Sequence, residues 1–147
     1  MTDNTEHTKS TASQLIISAQ SVFAALGSGH SEYIYHRAME VECQLNNIFY
    51  ETKKILPIVY RECTIGYGEA DLVAYVNRDI TRHSPVVVCE FKALSSDLRE
   101  QEITQVKNYL RSFNPESCGL LINFPQPGGS KKARDHIDIL HIYPDCD

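Results

Sequence analysis

At 147 residues the chain is long enough to bury a core of its own and short for two ordinary domains. Its 42% apolar and 22% charged residues are those of a soluble globular protein, and no run of eighteen apolar residues is present to cross a bilayer. A net charge of -5 excludes a general positive field that would coat DNA and leaves only local basic clusters. These are Lys53/Lys54 with Arg61, Arg78 with Arg82, Lys107 with Arg111, and Lys131/Lys132 with Arg134.

In chain order, the polar residues 1–10 predict a disordered tail ahead of a single domain over 11–147. That start lacks the basic-then-apolar layout of a secretion signal, so the expected location is intracellular, in cytoplasm or nucleus. Leu15, Ile16, Ala19, Val22, Phe23 and Leu26 recur at helical spacing and stop at Gly27-Ser28-Gly29. A second helix is predicted from Ser31 to Asn46, with Ile34, Ala38, Val41 and Leu45 as its stripe.

The period then changes to two. Ile55, Pro57 and Val59 mark a strand that Pro57 places at an edge or bulge. Ile65 to Val76 reads as a second strand, with Ala70, Leu72, Ala74 and Val76 on one face and Asp71, Val73 and Tyr75 on the other. A polar connection from Asn77 to Pro85 leads to the apolar strand Val86–Lys92, completing an antiparallel meander. Asp97 to Phe113 predicts a helix with Ser95 or Ser96 as its cap, ended by Asn114-Pro115. Cys118 to Phe124 and Ile137 to Tyr143 are the last two strands. The β-α-β passage out of Val86–Lys92 predicts that this strand and the Cys118 strand are parallel, within a mixed sheet covered by helices.

Five cysteines, Cys43, Cys63, Cys89, Cys118 and Cys146, are scattered without the close pairs of zinc sites and read as buried reduced thiols. Six dispersed histidines form no HExxH pattern. The unusual feature is VVVCEFK, an apolar strand that ends with a carboxylate and an ammonium two residues apart. Alternation puts Glu90 and Lys92 on one side and Cys89 and Phe91 on the other. Antiparallel pairing can bring Asp71 beside Glu90, and like charges that close call for a cation. Carboxylate oxygens suit Mg²⁺ or Mn²⁺.

Asp71, followed by Glu90-Phe91-Lys92 after an apolar strand, resembles the bipartite Asp…(Asp/Glu)-x-Lys signature of the PD-(D/E)XK nuclease-like superfamily. Gly29-His30-Ser31-Glu32-Tyr33-Ile34-Tyr35 is a complete G-x-x-E-x-x-Y, similar to the motif of the GxxExxY proteins of that superfamily. Gln105 and Tyr109 are similar to the Q-x-x-x-Y helix motif of its RecB-like nucleases. The resemblance covers roughly Leu15 to Phe124.

It implies an α/β (α+β) fold with a restriction-endonuclease-like αβββαβ core. It implies a metal-dependent nuclease acting on nucleic acid, with DNA the expected substrate. Asp71, Glu90 and Lys92 would be catalytic, and Asp71 and Glu90, with the Phe91 carbonyl, would hold Mg²⁺ or Mn²⁺. Glu32, Tyr35, Gln105 and Tyr109 would form the surrounding shell. A structural role competes for the shell: an acid suits a helix N-terminus, and a tyrosine one turn on packs well against a core. Glu69, two residues before Asp71, departs from the usual pattern. The alternative function is a catalytically silent nuclease fold that binds nucleic acid or a protein, with homodimerisation through the N-terminal helices as a further possibility.

Overall fold

The computed structural model describes residues 4–78, 80, 84–128 and 136–144. Its elements run α1 (Asn4–Leu26), α2 (Glu32–Leu45), β1 (Phe49–Tyr60), β2 (Cys63–Tyr75), a 3₁₀ turn at Val76–Arg78, β3 (Val86–Lys92), α3 (Glu100–Leu110), β4 (Cys118–Asn123) and β5 (Asp138–Ile142). The strands form one mixed sheet in the order β1-β2-β3-β4-β5. As the sequence predicts, β1, β2 and β3 form an antiparallel meander and β3 and β4 are parallel; β5 adds antiparallel to β4. Pro57 lies in the edge strand β1, where a missing N–H costs least, and the β1–β2 register shifts one residue later, between Ile58 and Val59.

Two cores sandwich the sheet. Alternate residues of β3 separate them: Val87, Cys89 and Phe91 join α1 and α2, while Val86 and Val88 join Val106 and Leu110 of α3. On the α3 side the helix packs tightly on β4. A Cβ at Gly119 would come within 2.4 Å of the Val106 side chain, so only glycine allows this approach. No helix among the described residues is long and apolar enough to cross a membrane.

Several local expectations are corrected. Helix α1 begins at Asn4, so the described part of the polar start is helical rather than a disordered tail. The reason is that Thr8 and Ala12 are buried. In α2 the buried stripe is Tyr35, His36, Met39 and Cys43, not the Ile34 set. Ile34, Val41 and Leu45 remain 40%, 47% and 71% exposed. Two apolar stripes compete on that helix, and the winning one stacks Tyr35 flat against Phe124, ring centroids 4.5 Å apart. Helix α3 starts later than predicted and is capped not by Ser95 or Ser96 but by Glu102, whose carboxylate accepts the Arg99 backbone N–H and pairs with the Arg99 guanidinium at 3.3 Å. Cys43, Cys89 and Cys118 are free and buried as expected, but Cys63 is exposed at the β1–β2 turn. Cys146, Arg82, Lys131, Lys132 and Arg134 lie outside the described residues.

The correction that matters most concerns β2. Gly68 and Ala70 face α3, yet Leu72 and Ala74 face α1 and α2. The alternation therefore slips at Asp71, and Ala70 does not share a face with Leu72 as its spacing suggests. Strand β1 slips with it: Tyr50 packs on the α1/α2 side and Leu56 on the α3 side. Between them Lys53, which falls opposite Asp71 in the register, is unpaired and adopts φ 49°. A non-glycine residue in the left-handed region marks a locally over-determined backbone.

Candidate active site

The seam between β2 and β3 opens at the slip. The ladder pairs Leu72–Tyr75 with Val86–Cys89 and goes no further. At the next position side chains replace it: the Asp71 backbone N–H donates to Glu90 Oε1 at 2.9 Å, and the Phe91 backbone N–H donates to Asp71 Oδ2 at 2.8 Å. Each carboxylate thus closes onto the other strand, and the two are held side by side in the gap. Strand alternation puts Phe91 on the α2 side, edge-on to His36 at 5.3 Å, and turns Glu90 and Lys92 toward α3.

Glu90 is only 4% exposed. Its pKa is raised well above the carboxylate range, first by burial and then by the charge of Asp71. The Asp71 backbone N–H that donates to Glu90 and the charge of Lys92 oppose the rise. Without a cation the pair therefore avoids two adjacent negative charges by keeping a proton on Glu90 up to a pH of about 8. Among the described residues no group of three or more His, Cys, Asp or Glu side chains forms a ready metal cage. Two carboxylates suffice for Mg²⁺, which keeps several waters and is commonly held by one or two carboxylates together with substrate phosphate. On donor chemistry and charge the pair fits such an ion.

The other predicted residues divide. Glu32, in the first turn of α2, is exposed, yet surrounding protein still raises its pKa by desolvation. The charges of Lys92 and Asp71 act on it in turn, so it lies within electrostatic reach of the pair. Tyr109 of α3 is raised by burial and then by Glu90, with Asp71 contributing less. Gln105 Nε2 donates to its hydroxyl at 2.9 Å. Gly68 makes room for that ring, since a Cβ there would meet Tyr109 Cε1 at 2.7 Å. Helices α2 and α3 thus approach the carboxylates from opposite faces of the sheet.

Tyr35 sits elsewhere. It is fully buried in the α1/α2 core, and its hydroxyl donates to the Gly27 carbonyl at 2.7 Å. Its position is that of a pin for the Gly27–Gly29 turn. Gln126, which sequence reasoning missed, completes the pin: its Nε2 donates to Tyr35 Oη at 3.0 Å and its Oε1 accepts the Gly29 N–H at 2.8 Å. Asn123, also missed, is fully buried and holds the segment after Lys92, accepting the Leu94 N–H at 2.8 Å and donating to Asp138 at 3.0 Å. A buried Asn at the end of an apolar strand was the only available signal.

Residues 9–135 match the family described as the PD-(D/E)XK nuclease superfamily. No functionally curated protein matches. A crystal structure of SSO0001 is similar in fold, with a TM-score of 0.52 and 22% identity. The similarity covers 78% of this chain and 52% of that one, so this chain spans about half the length of the solved relative.

Proposed function

Because the chain belongs to the PD-(D/E)XK nuclease superfamily, we propose that the seam between β2 and β3 is a metal-dependent phosphodiesterase centre that cuts nucleic acid, with DNA as its substrate. The observation that carries the reading is the Asp71–Glu90 pair, held together by reciprocal hydrogen bonds to backbone N–H groups despite the burial and the mutual repulsion that raise the Glu90 pKa. A fold has little reason to tolerate such a pair unless a cation repays it.

In this reading Asp71 and Glu90 hold Mg²⁺ or Mn²⁺, which when bound supplies Lewis-acid stabilisation and an activated water. Lys92 offsets the negative charge of the scissile phosphate. Glu32 and Tyr109 border the centre from α2 and α3, and Gln105 fixes the Tyr109 hydroxyl. Tyr35 supports the turn ahead of Glu32 rather than touching substrate. The full G-x-x-E-x-x-Y stretch favours the GxxExxY group within the superfamily. The test is incubation with linear, circular and single-stranded DNA, and with RNA, in Mg²⁺, Mn²⁺ or EDTA. Cleavage of DNA that requires the metal supports the reading; intact substrates in every metal condition refute it.

A second reading, a silent nuclease fold that binds nucleic acid or a protein, is favoured by the exposed Glu69 beside the site and by the net charge of -5. It predicts salt-dependent association with no metal-dependent cutting.

A further inference from the structure

Beside the carboxylate pair lies a groove of about 420 Å³ between the β1–β2 hairpin and α3. One wall is apolar, made by Leu56 and Ile58 of β1, the latter 51% exposed, and by the bare backbone of Gly68. The facing wall is a stripe along α3 formed by Gln101, Gln105 and Asn108, all exposed, at the i, i+4, i+7 spacing of a single helical face. Tyr109 closes the end nearest Glu90 and Asp71; its pKa is raised first by burial and then by the charges of those carboxylates.

The chemistry of this lining is distinctive. In a chain with 22% charged residues, none of the eleven residues lining the groove is charged. A surface built to cradle phosphates would carry Lys or Arg, and this one carries carboxamides opposite hydrocarbon. A carboxamide offers a donor and an acceptor side by side, the pattern that base edges present, while an apolar wall suits the flat face of a heterocycle. A base can enter such a groove only when it is not paired and stacked in a helix.

We propose that this groove receives an unpaired base of a nucleic acid strand whose backbone passes Asp71 and Glu90, making single-stranded or locally opened nucleic acid the preferred ligand. The inference rests on the nuclease reading of the neighbouring carboxylates, and its test is separate from cleavage. Fluorescence anisotropy would measure binding of labelled single-stranded DNA and RNA oligonucleotides, the same strands with abasic positions, and blunt duplexes, with Ca²⁺ replacing Mg²⁺. The proteins would be wild type, Asn108→Ala and Ile58→Ser; both positions are exposed, so folding should survive.

The expected result is about tenfold weaker single-strand binding for each variant and for the abasic strand, with duplex binding weak and unchanged. Combining Asn108→Ala with the abasic strand should cost little more than either change alone, since both remove the same contact. Equal affinity for intact and abasic strands overturns the proposal, as does binding to duplex alone or to no nucleic acid. In the last case, an apolar peptide segment becomes the better occupant. Base-dependent binding without metal-dependent cleavage would uphold the groove and refute the nuclease reading, so the two failures are distinguishable.

Discussion

Glu90 binds its proton more tightly in the folded protein than its ordinary value of 4.5 would give. A raised carboxyl pKa contributes stability that is complete below the unfolded value and is lost as pH rises through the folded one. The metal-free protein should therefore lose stability between pH 4.5 and the raised Glu90 value. Glu90→Gln removes the charge but keeps the acceptor for the Asp71 N–H. It should raise the metal-free Tm at pH 8, by the equivalent of about 1–3 kcal/mol. That advantage should vanish near pH 4, and thermal melts across this range check the sign. Added Mn²⁺ should raise the wild-type Tm at pH 8 and leave Glu90→Gln unmoved. Lys92→Met acts in the opposite sense on the metal-free protein, since it removes the cation that opposes the Glu90 shift. Its metal-free Tm should be unchanged or lower, while its cleavage rate falls at least 100-fold.

Two glycines of the α3 packing separate stability from activity at the scale of elements. At Gly119 an added Cβ meets Val106 within a packed helix–sheet contact, so Gly119→Ala should cost about 1–3 kcal/mol in denaturant unfolding. At Gly68 it meets the Tyr109 ring, which is only half-buried and lines the open groove, so that it can shift. Gly68→Ala should therefore unfold within about 1 kcal/mol of wild type while cutting more slowly, because Tyr109 is displaced. Similar losses of stability for both variants would show that Tyr109 is a packing residue only. In α2, Tyr35→Phe keeps the stack on Phe124 and loses the hydroxyl that pins the Gly27–Gly29 turn. It should cost roughly 1–2 kcal/mol, read by the same unfolding measurement.

Across the whole molecule, much of the architecture was legible because single residues and short periods encode it. The apolar alternation of Val86–Lys92, the β-α-β handedness and Pro57 on an edge sufficed for the meander, the parallel β3–β4 pair and the edge strand. The carboxylate pair was also legible, because strand pairing makes Asp71 and Glu90 neighbours. The slip at Asp71 was not. It depends on Lys53 in a left-handed conformation on another strand, and nothing in the local spacing of β2 announces it. The α2 stripe was misread for a related reason: Ile34/Val41/Leu45 and Tyr35/Met39/Cys43 have equal helical periodicity. The choice was made by Phe124 and Gln126, some ninety residues away. Gln126 and Asn123 escaped notice because a side chain that holds a distant turn carries no local pattern.

In the proposed function the Asp71–Glu90 pair gives up stability for a metal-dependent cut, a trade with a single decisive assay. It is tested most directly by timing DNA cleavage in Mn²⁺ by wild type and Glu90→Gln at pH 8, with both proteins shown to be folded by their melts. The variant, although the more stable protein without metal, should leave the DNA intact while wild type degrades it. Cleavage by Glu90→Gln at the wild-type rate would show that the Asp71–Glu90 pair does not hold the metal that cuts.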